Sequence, residues 1–88
     1  PARPYLYQNY PNPFNPRTVI SWQLPVSSAV KLSVYNIAGE QVATLANDRF
    51  PAGFHTVEWD ASHLASAIYL YELKTMNFTQ TRKMILMK

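Results

Sequence analysis

The two histidines, His55 and His63, and five acidic residues are the side chains of this sequence best suited to metal binding or general acid–base chemistry. Zinc needs three or four converging donors. On an extended strand His55 and Glu58 project to opposite faces, because successive side chains alternate, so that pair cannot share an ion. Asn47, Asp48 and Asp60 lack the regular spacing of a calcium loop, and no metal site is expected. Glu58 and Asp60 do share one strand face, as paired carboxylates for glycoside cleavage must, but solubility alone explains so few acids. A nucleophilic serine would need a Gly-x-Ser-x-Gly elbow, which is absent. Two glycines are too few for a phosphate-cradling loop, and a chain without cysteine has no thiolate chemistry and no disulfides. The sequence therefore reads as non-catalytic and in need of no cofactor.

The aromatic residues are the other source of chemistry. Trp22, Tyr35, Trp59, Tyr69 and Tyr71 are numerous enough to build a stacking platform for sugars, as in a carbohydrate-binding module of a secreted hydrolase. Trp22, Trp59, Tyr69 and Tyr71 each fall on the inward phase of a strand, which predicts core, since aromatic burial dominates the energetics of small domains. Tyr35 and Phe54 fall on outward phases and are the candidates for an exposed contact.

The elements that must position these residues are strands. Thr18 to Leu24 places Ile20, Trp22 and Leu24 on one face, and Pro25 ends the ladder because it has no N–H to donate. Ala29 to Asn36 repeats the alternation with Val30, Leu32 and Val34 inward. A turn follows in which Gly39 is free to take positive φ. The next strand, about Glu40 to Ala46, spaces Val42 and Leu45 by three, which marks a bulge or the strand's end. Asn47 to Gly53 reads as a polar loop punctuated by Pro51 and Gly53. Phe54 to Asp60 alternates again, Ala61 to Ser66 is long enough for one helical turn, and Ala67 to Met76 is the strongest strand signal. A last strand runs from Thr79 to Met87, and a seventh is available from Tyr5 to Asn9. Turns at this spacing in a chain of 88 residues predict one all-β domain, an antiparallel immunoglobulin-like or fibronectin-III-like sandwich.

Residues 1–16 differ in kind and precede a sandwich expected over residues 17–88. Pro11, Pro13 and Pro16 restrict the backbone and extend the residues before them. The segment is expected to be an ordered lead-in that covers a sheet edge, with Phe14 anchored in the core. At 48% hydrophobic and 15% charged, the chain has the composition of a packed domain rather than a disordered one. The net charge of +3 owes part of its excess to Arg82, Lys83 and Lys88, too sparse for a nucleic-acid or lipid-binding patch. No apolar run is long enough to span a membrane as a helix, and a chain that starts with Pro1 reads as part of a longer protein.

Taken in order, the motifs resemble a known family. Pro11, Asn12, Pro13, Phe14, Asn15 and Pro16, followed by Thr18-Val-Ile-Ser-Trp22, resemble the opening of the C-terminal sorting domain of type IX secretion substrates. Val30-Lys-Leu-Ser-Val-Tyr-Asn36 with Gly39-Glu-Gln-Val42 resembles its central strand pair. Ala52-Gly53-Phe-His-Thr-Val-Glu-Trp-Asp60 and Ala65-Ser-Ala-Ile-Tyr-Leu-Tyr71 resemble its later strands, and Thr81 to Lys88 its basic-and-apolar terminus. Ala67 stands where the family usually has glycine, which implies ordinary β backbone there. Similar sandwiches occur in the flagellar hook-capping protein.

The resemblance implies a targeting domain that carries an N-terminal passenger across the outer membrane, in transit through the periplasm and then at the cell surface or secreted. Its partners would be the outer-membrane secretion machinery and a processing peptidase. The terminal strand, Lys83, Met84, Ile85, Leu86, Met87 and Lys88, is expected to be the element recognised. Lys83 and Lys88 would face solvent and Met84 and Leu86 the core, while an open edge offers backbone groups for strand addition or weak dimerisation. Ala65 to Tyr69 also resembles a tyrosine corner, whose hydroxyl bonds the backbone upstream.

Overall fold

The computed structural model describes residues 2–88. Seven strands run in the order β1 (Tyr5–Leu6), β2 (Arg17–Leu24), β3 (Ser28–Asn36), β4 (Gln41–Phe50), β5 (Gly53–Asp60), β6 (Ala67–Thr75) and β7 (Phe78–Leu86). All pair antiparallel, in a three-stranded sheet β1-β2-β5 and a four-stranded sheet β4-β3-β6-β7. No helix occurs among the described residues. The expected sandwich is therefore present, and the alternation that predicts it sets its core. Ile20, Trp22 and Leu24 of β2 meet Val30, Leu32 and Val34 of β3, Tyr69, Tyr71 and Leu73 of β6, and Met84 and Leu86 of β7. Trp59 of β5 completes the set, so all four aromatics on inward phases are buried. Each large side chain withdrawn from water in this way contributes about 1.5–3 kcal/mol.

Two local expectations need correction. Asn47 to Phe50 is not loop: β4 continues through it, with Lys31 opposite Asn47 and Ala29 opposite Arg49. Polar residues are tolerated there because β4 is an edge strand whose outer side is solvated, and only Pro51 and Ala52 connect it to β5. Ala61 to Ser66 forms no helical turn but a single reverse turn, closed by the Leu64 N–H donating to Ala61 O at 3.0 Å.

The spacing of Val42 and Leu45 does mark irregularity. Leu32 pairs with Ala46 but Ser33 with Thr44, and Val34 pairs with Ala43 but Tyr35 with Gln41. Leu45 and Val42 are thus the extra residues of two bulges, which twist this edge. The tyrosine corner also forms: the Tyr69 hydroxyl donates to Ala65 O at 2.7 Å. Ala67 lies in ordinary β backbone, since no residue other than glycine has positive φ among those described.

The β3–β4 turn rests on Asn36 and Gly39. The Asn36 side chain accepts from the N–H groups of Ala38 and Glu40, both at 3.0 Å, and Gly39 takes φ of 85°. A Cβ on Gly39 would meet no atom within 4 Å, so the penalty of a side chain is one of backbone conformation alone. Gly39→Ala is accordingly expected to cost about 1–2 kcal/mol, read as a lower urea midpoint at unchanged m value.

Candidate functional site

β7 presents two chemically different faces. Met84 and Leu86 point inward and are 0% and 1% exposed. Lys83, Met87 and Lys88 lie in solvent, and Ile85 is half-buried. Across the outer face of the sheet Ile85 stands opposite Ile68, Lys83 opposite Leu70, and Leu70 opposite Tyr35. An apolar stripe flanked by cations results. The end of the chain is pinned, because the Lys88 amino group donates to Ser62 O at 2.6 Å and its backbone N–H to Ser66 Oγ at 2.9 Å.

The outer edge of β7 is occupied, contrary to the open edge expected from the sequence. Residues 7–16 form a strap that first continues the pairing of β1 along β2, through Tyr7 N–H to Ser21 O and a reciprocal pair between Tyr10 and Val19. It then crosses to the other sheet, with cis peptide bonds before Pro11, Pro13 and Pro16. There Phe14 pairs in parallel with Leu86, donating its N–H to Ile85 O at 2.9 Å and accepting from the Met87 N–H at 3.0 Å. Asn12 Oδ1 accepts from the Ile85 N–H at 2.9 Å, and Gln8 Nε2 donates to Lys83 O at 2.8 Å. The prediction that the lead-in covers an edge and buries Phe14 is met. The edge it covers is the one expected to be free.

The motif residues divide by role. Phe14 is 2% exposed and packs on Trp59, with ring centroids 6.0 Å apart. Pro11 O accepts from Asn9 Nδ2 and from the Thr18 hydroxyl, and Pro16 O accepts from the Ala61 N–H. Pro13 and Asn15 lie on the surface of the crossing.

A buried polar network holds the strap from beneath, and sequence reading does not find it. The Tyr71 hydroxyl accepts from the Asn9 N–H and donates to Tyr7 O, both at 2.8 Å. Asn9 Nδ2 also donates to Thr18 Oγ1 at 2.9 Å. Burial pushes the Tyr71 phenol up to about 12, against the lowering effects of the Asn9 hydrogen bond and the Arg82 charge. The available signal was Tyr71 itself, since an inward tyrosine hydroxyl must find partners. Trp22 is the exception: its buried indole N–H has no hydrogen-bond acceptor, and its ring meets Phe50 in a T-shaped arrangement with centroids 5.3 Å apart.

The remaining candidates are dispersed. Tyr35 is half-buried, its hydroxyl donating to Glu72 Oε1 at 3.4 Å, whereas Phe54 is 58% exposed on the outer face of the opposite sheet. Phe54 joins Tyr7 and Tyr5 in an exposed cluster, but adjacent rings meet at 62° and 69°. These rings present edges to one another rather than a coplanar stacking surface for a sugar. His55 lies beside Trp22 and Phe50 and bonds Pro51 O at 2.7 Å. The Asp60 carboxyl is held below its ordinary range, chiefly by the Ser62 N–H and also by Arg17.

A family model described as the secretion system C-terminal sorting domain matches residues 8–87. The chain belongs to this family. It is therefore a targeting domain of type IX secretion, a non-catalytic type of module that interacts with the secretion machinery, follows an N-terminal passenger and serves export to the cell surface or medium. No curated protein and no solved structure matches. In the sorting domain the recognition residues expected from sequence fall into two sets, with Lys83, Ile85, Met87 and Lys88 outward and Met84 and Leu86 in the core.

Proposed function

We propose that this domain carries its passenger from the periplasm across the outer membrane by displaying β7 as the element that the secretion machinery reads, before a processing peptidase separates the two. The observation that carries the reading is the division of the terminal strand into an inward set, Met84 and Leu86, that fixes it and an outward set, Lys83, Ile85, Met87 and Lys88, whose side chains reach the surface. The layout of the chain agrees. Ala2, Arg3 and Pro4 lie at one pole with Pro25, Val26 and Phe78, whereas Lys88 lies at the other beside Ser62 and Ser66. The longest dimension is 37 Å, so a passenger joined ahead of the first pole leaves the second accessible.

Deleting Lys83 to Lys88 would test this poorly, because it also removes Met84 and Leu86 from the core at about 2–5 kcal/mol each. Reversing the outward charges is cleaner. A periplasm-directed reporter fused ahead of the domain and carrying Lys83→Glu with Lys88→Glu is expected to stay in the periplasm. The unfolding free energy of the variant should change by no more than about 1 kcal/mol, as for exposed sites. Surface display equal to that of the parent fusion would refute recognition through these residues.

A further inference from the structure

The bonds that the strap makes with β7 are those an added strand would make. Lys83 O, the Ile85 N–H, Ile85 O and the Met87 N–H are all engaged by residues 8–14. Only Phe14 engages them through its own backbone; Gln8 and Asn12 use side-chain amides. Every one of these β7 groups would be bonded again, and in regular ladder geometry, by an extended backbone laid along the same edge.

We infer that residues 8–14 are a clasp over a docking edge: the secretion machinery supplies an extended segment that replaces the strap along β7. This rests on the reading of β7 as the recognised element. The geometry of this edge specifies the occupant. It needs a large apolar side chain to fill the site that Phe14 leaves against Trp59, because an empty pocket there would be a core cavity. It also needs acidic residues to match Lys83 on the strand and Lys88 just beyond it, exposed cations with no acidic partner among the described residues; the ion pair found there, Arg17 with Asp60, lies elsewhere. The strap can release one half without the other. Tyr71, Thr18 and Val19 hold Asn9, Tyr10 and the Pro11 carbonyl on the β2 side, and Asn12 and Pro13 beyond them are exposed. Opening therefore moves Asn12 to Asn15, with the exposed Gln8 side chain turning away from Lys83 O, and keeps the sandwich closed elsewhere.

The chain has no cysteine, so one engineered disulfide can lock the clasp without competing pairings. Asn15 and Met87 follow the parallel pair Phe14–Leu86, and both are exposed. Neighbouring strands put their Cα atoms about 4.8 Å apart, within disulfide range. The reporter fusion carrying Asn15→Cys with Met87→Cys is followed with and without dithiothreitol, and the disulfide is scored by thiol alkylation. The expected result is periplasmic retention when oxidised and surface display when reduced. Equal display of the oxidised and reduced forms overturns the clasp.

A second variant decides the case if the cysteine pair fails in both states. Gln8→Ala with Asn12→Ala removes the two side-chain contacts and leaves the core intact. It is expected to be displayed at least as fast as the parent, whereas slower display means that the strap contacts are themselves required, and overturns the clasp. The two proposals fail separately. Normal display of the Lys83→Glu, Lys88→Glu fusion removes recognition at β7, whereas its retention beside normal display of the oxidised pair removes only the clasp.

Discussion

Phe14→Ala is expected to lower the unfolding free energy by about 3–5 kcal/mol, the usual cost of truncating a buried phenylalanine. A domain of 88 residues has a total stability of roughly 4–13 kcal/mol, so this one side chain in the strap carries a large share of it. The magnitude follows from position. Phe14 is 2% exposed, rests on Trp59, and lies between the two hydrogen bonds that join the strap to β7. Urea unfolding followed by tryptophan fluorescence reads both the stability and the environment of Trp59. The neighbouring Asn15→Ala, at an exposed site, is the control and should move stability by about 0.5 kcal/mol or less. A loss below about 1 kcal/mol for Phe14→Ala would mean that the core closes without the strap.

Tyr71→Phe is the second large effect, expected at about 1–3 kcal/mol, because it leaves the Asn9 N–H and Tyr7 O buried without their partner. The same hydroxyl makes stability fall at alkaline pH. Its pKa is raised to about 12 from the ordinary 10, mainly by burial, so the folded state holds the proton more tightly than the unfolded state. The contribution is complete below the unfolded value of 10 and is lost as the pH rises toward 12. Two units correspond to roughly 2–3 kcal/mol. Denaturation midpoints of parent and Tyr71→Phe proteins, compared at neutral pH and near pH 11, isolate this share from that of the lysines. The two proteins should converge as the pH rises. An unchanged gap would show that Tyr71 does not ionise on unfolding in this range.

Much of this architecture is legible in the sequence because it depends on a period of two. Alternation around Ile20, Val30, Tyr69 and Met84 places the core, and Gly39 marks a turn that needs positive φ. The Val42–Leu45 spacing and the Ala65–Tyr69 corner are local signals, read correctly for the same reason. Asn47 to Phe50 is misread because composition reports polarity, and a polar stretch fits an edge strand as well as a loop. Adjacency is the harder limit. Nothing within the Asn12 or Phe14 neighbourhood indicates that β7, some seventy residues away, is the strand it lies against. For that reason an edge expected to be open is found closed, and the Asn9–Thr18–Tyr71 network goes unseen: each member looks ordinary until three distant segments meet.

The parallel pairing of Phe14 with Leu86 has a mechanical consequence. A pull on the passenger side draws Ala2 toward one pole, and a grip on Lys88 draws the end of β7 toward the other. With two segments side by side and parallel, such opposed forces slide them past one another. The bonds at Ile85 and Met87 are then loaded together in shear rather than opened one after another. Phe14 must also be dragged through packed core before the segments part. The domain is thus toughest along the line that joins its two poles, and it withstands tension applied from both ends better than a sideways peel of the strap.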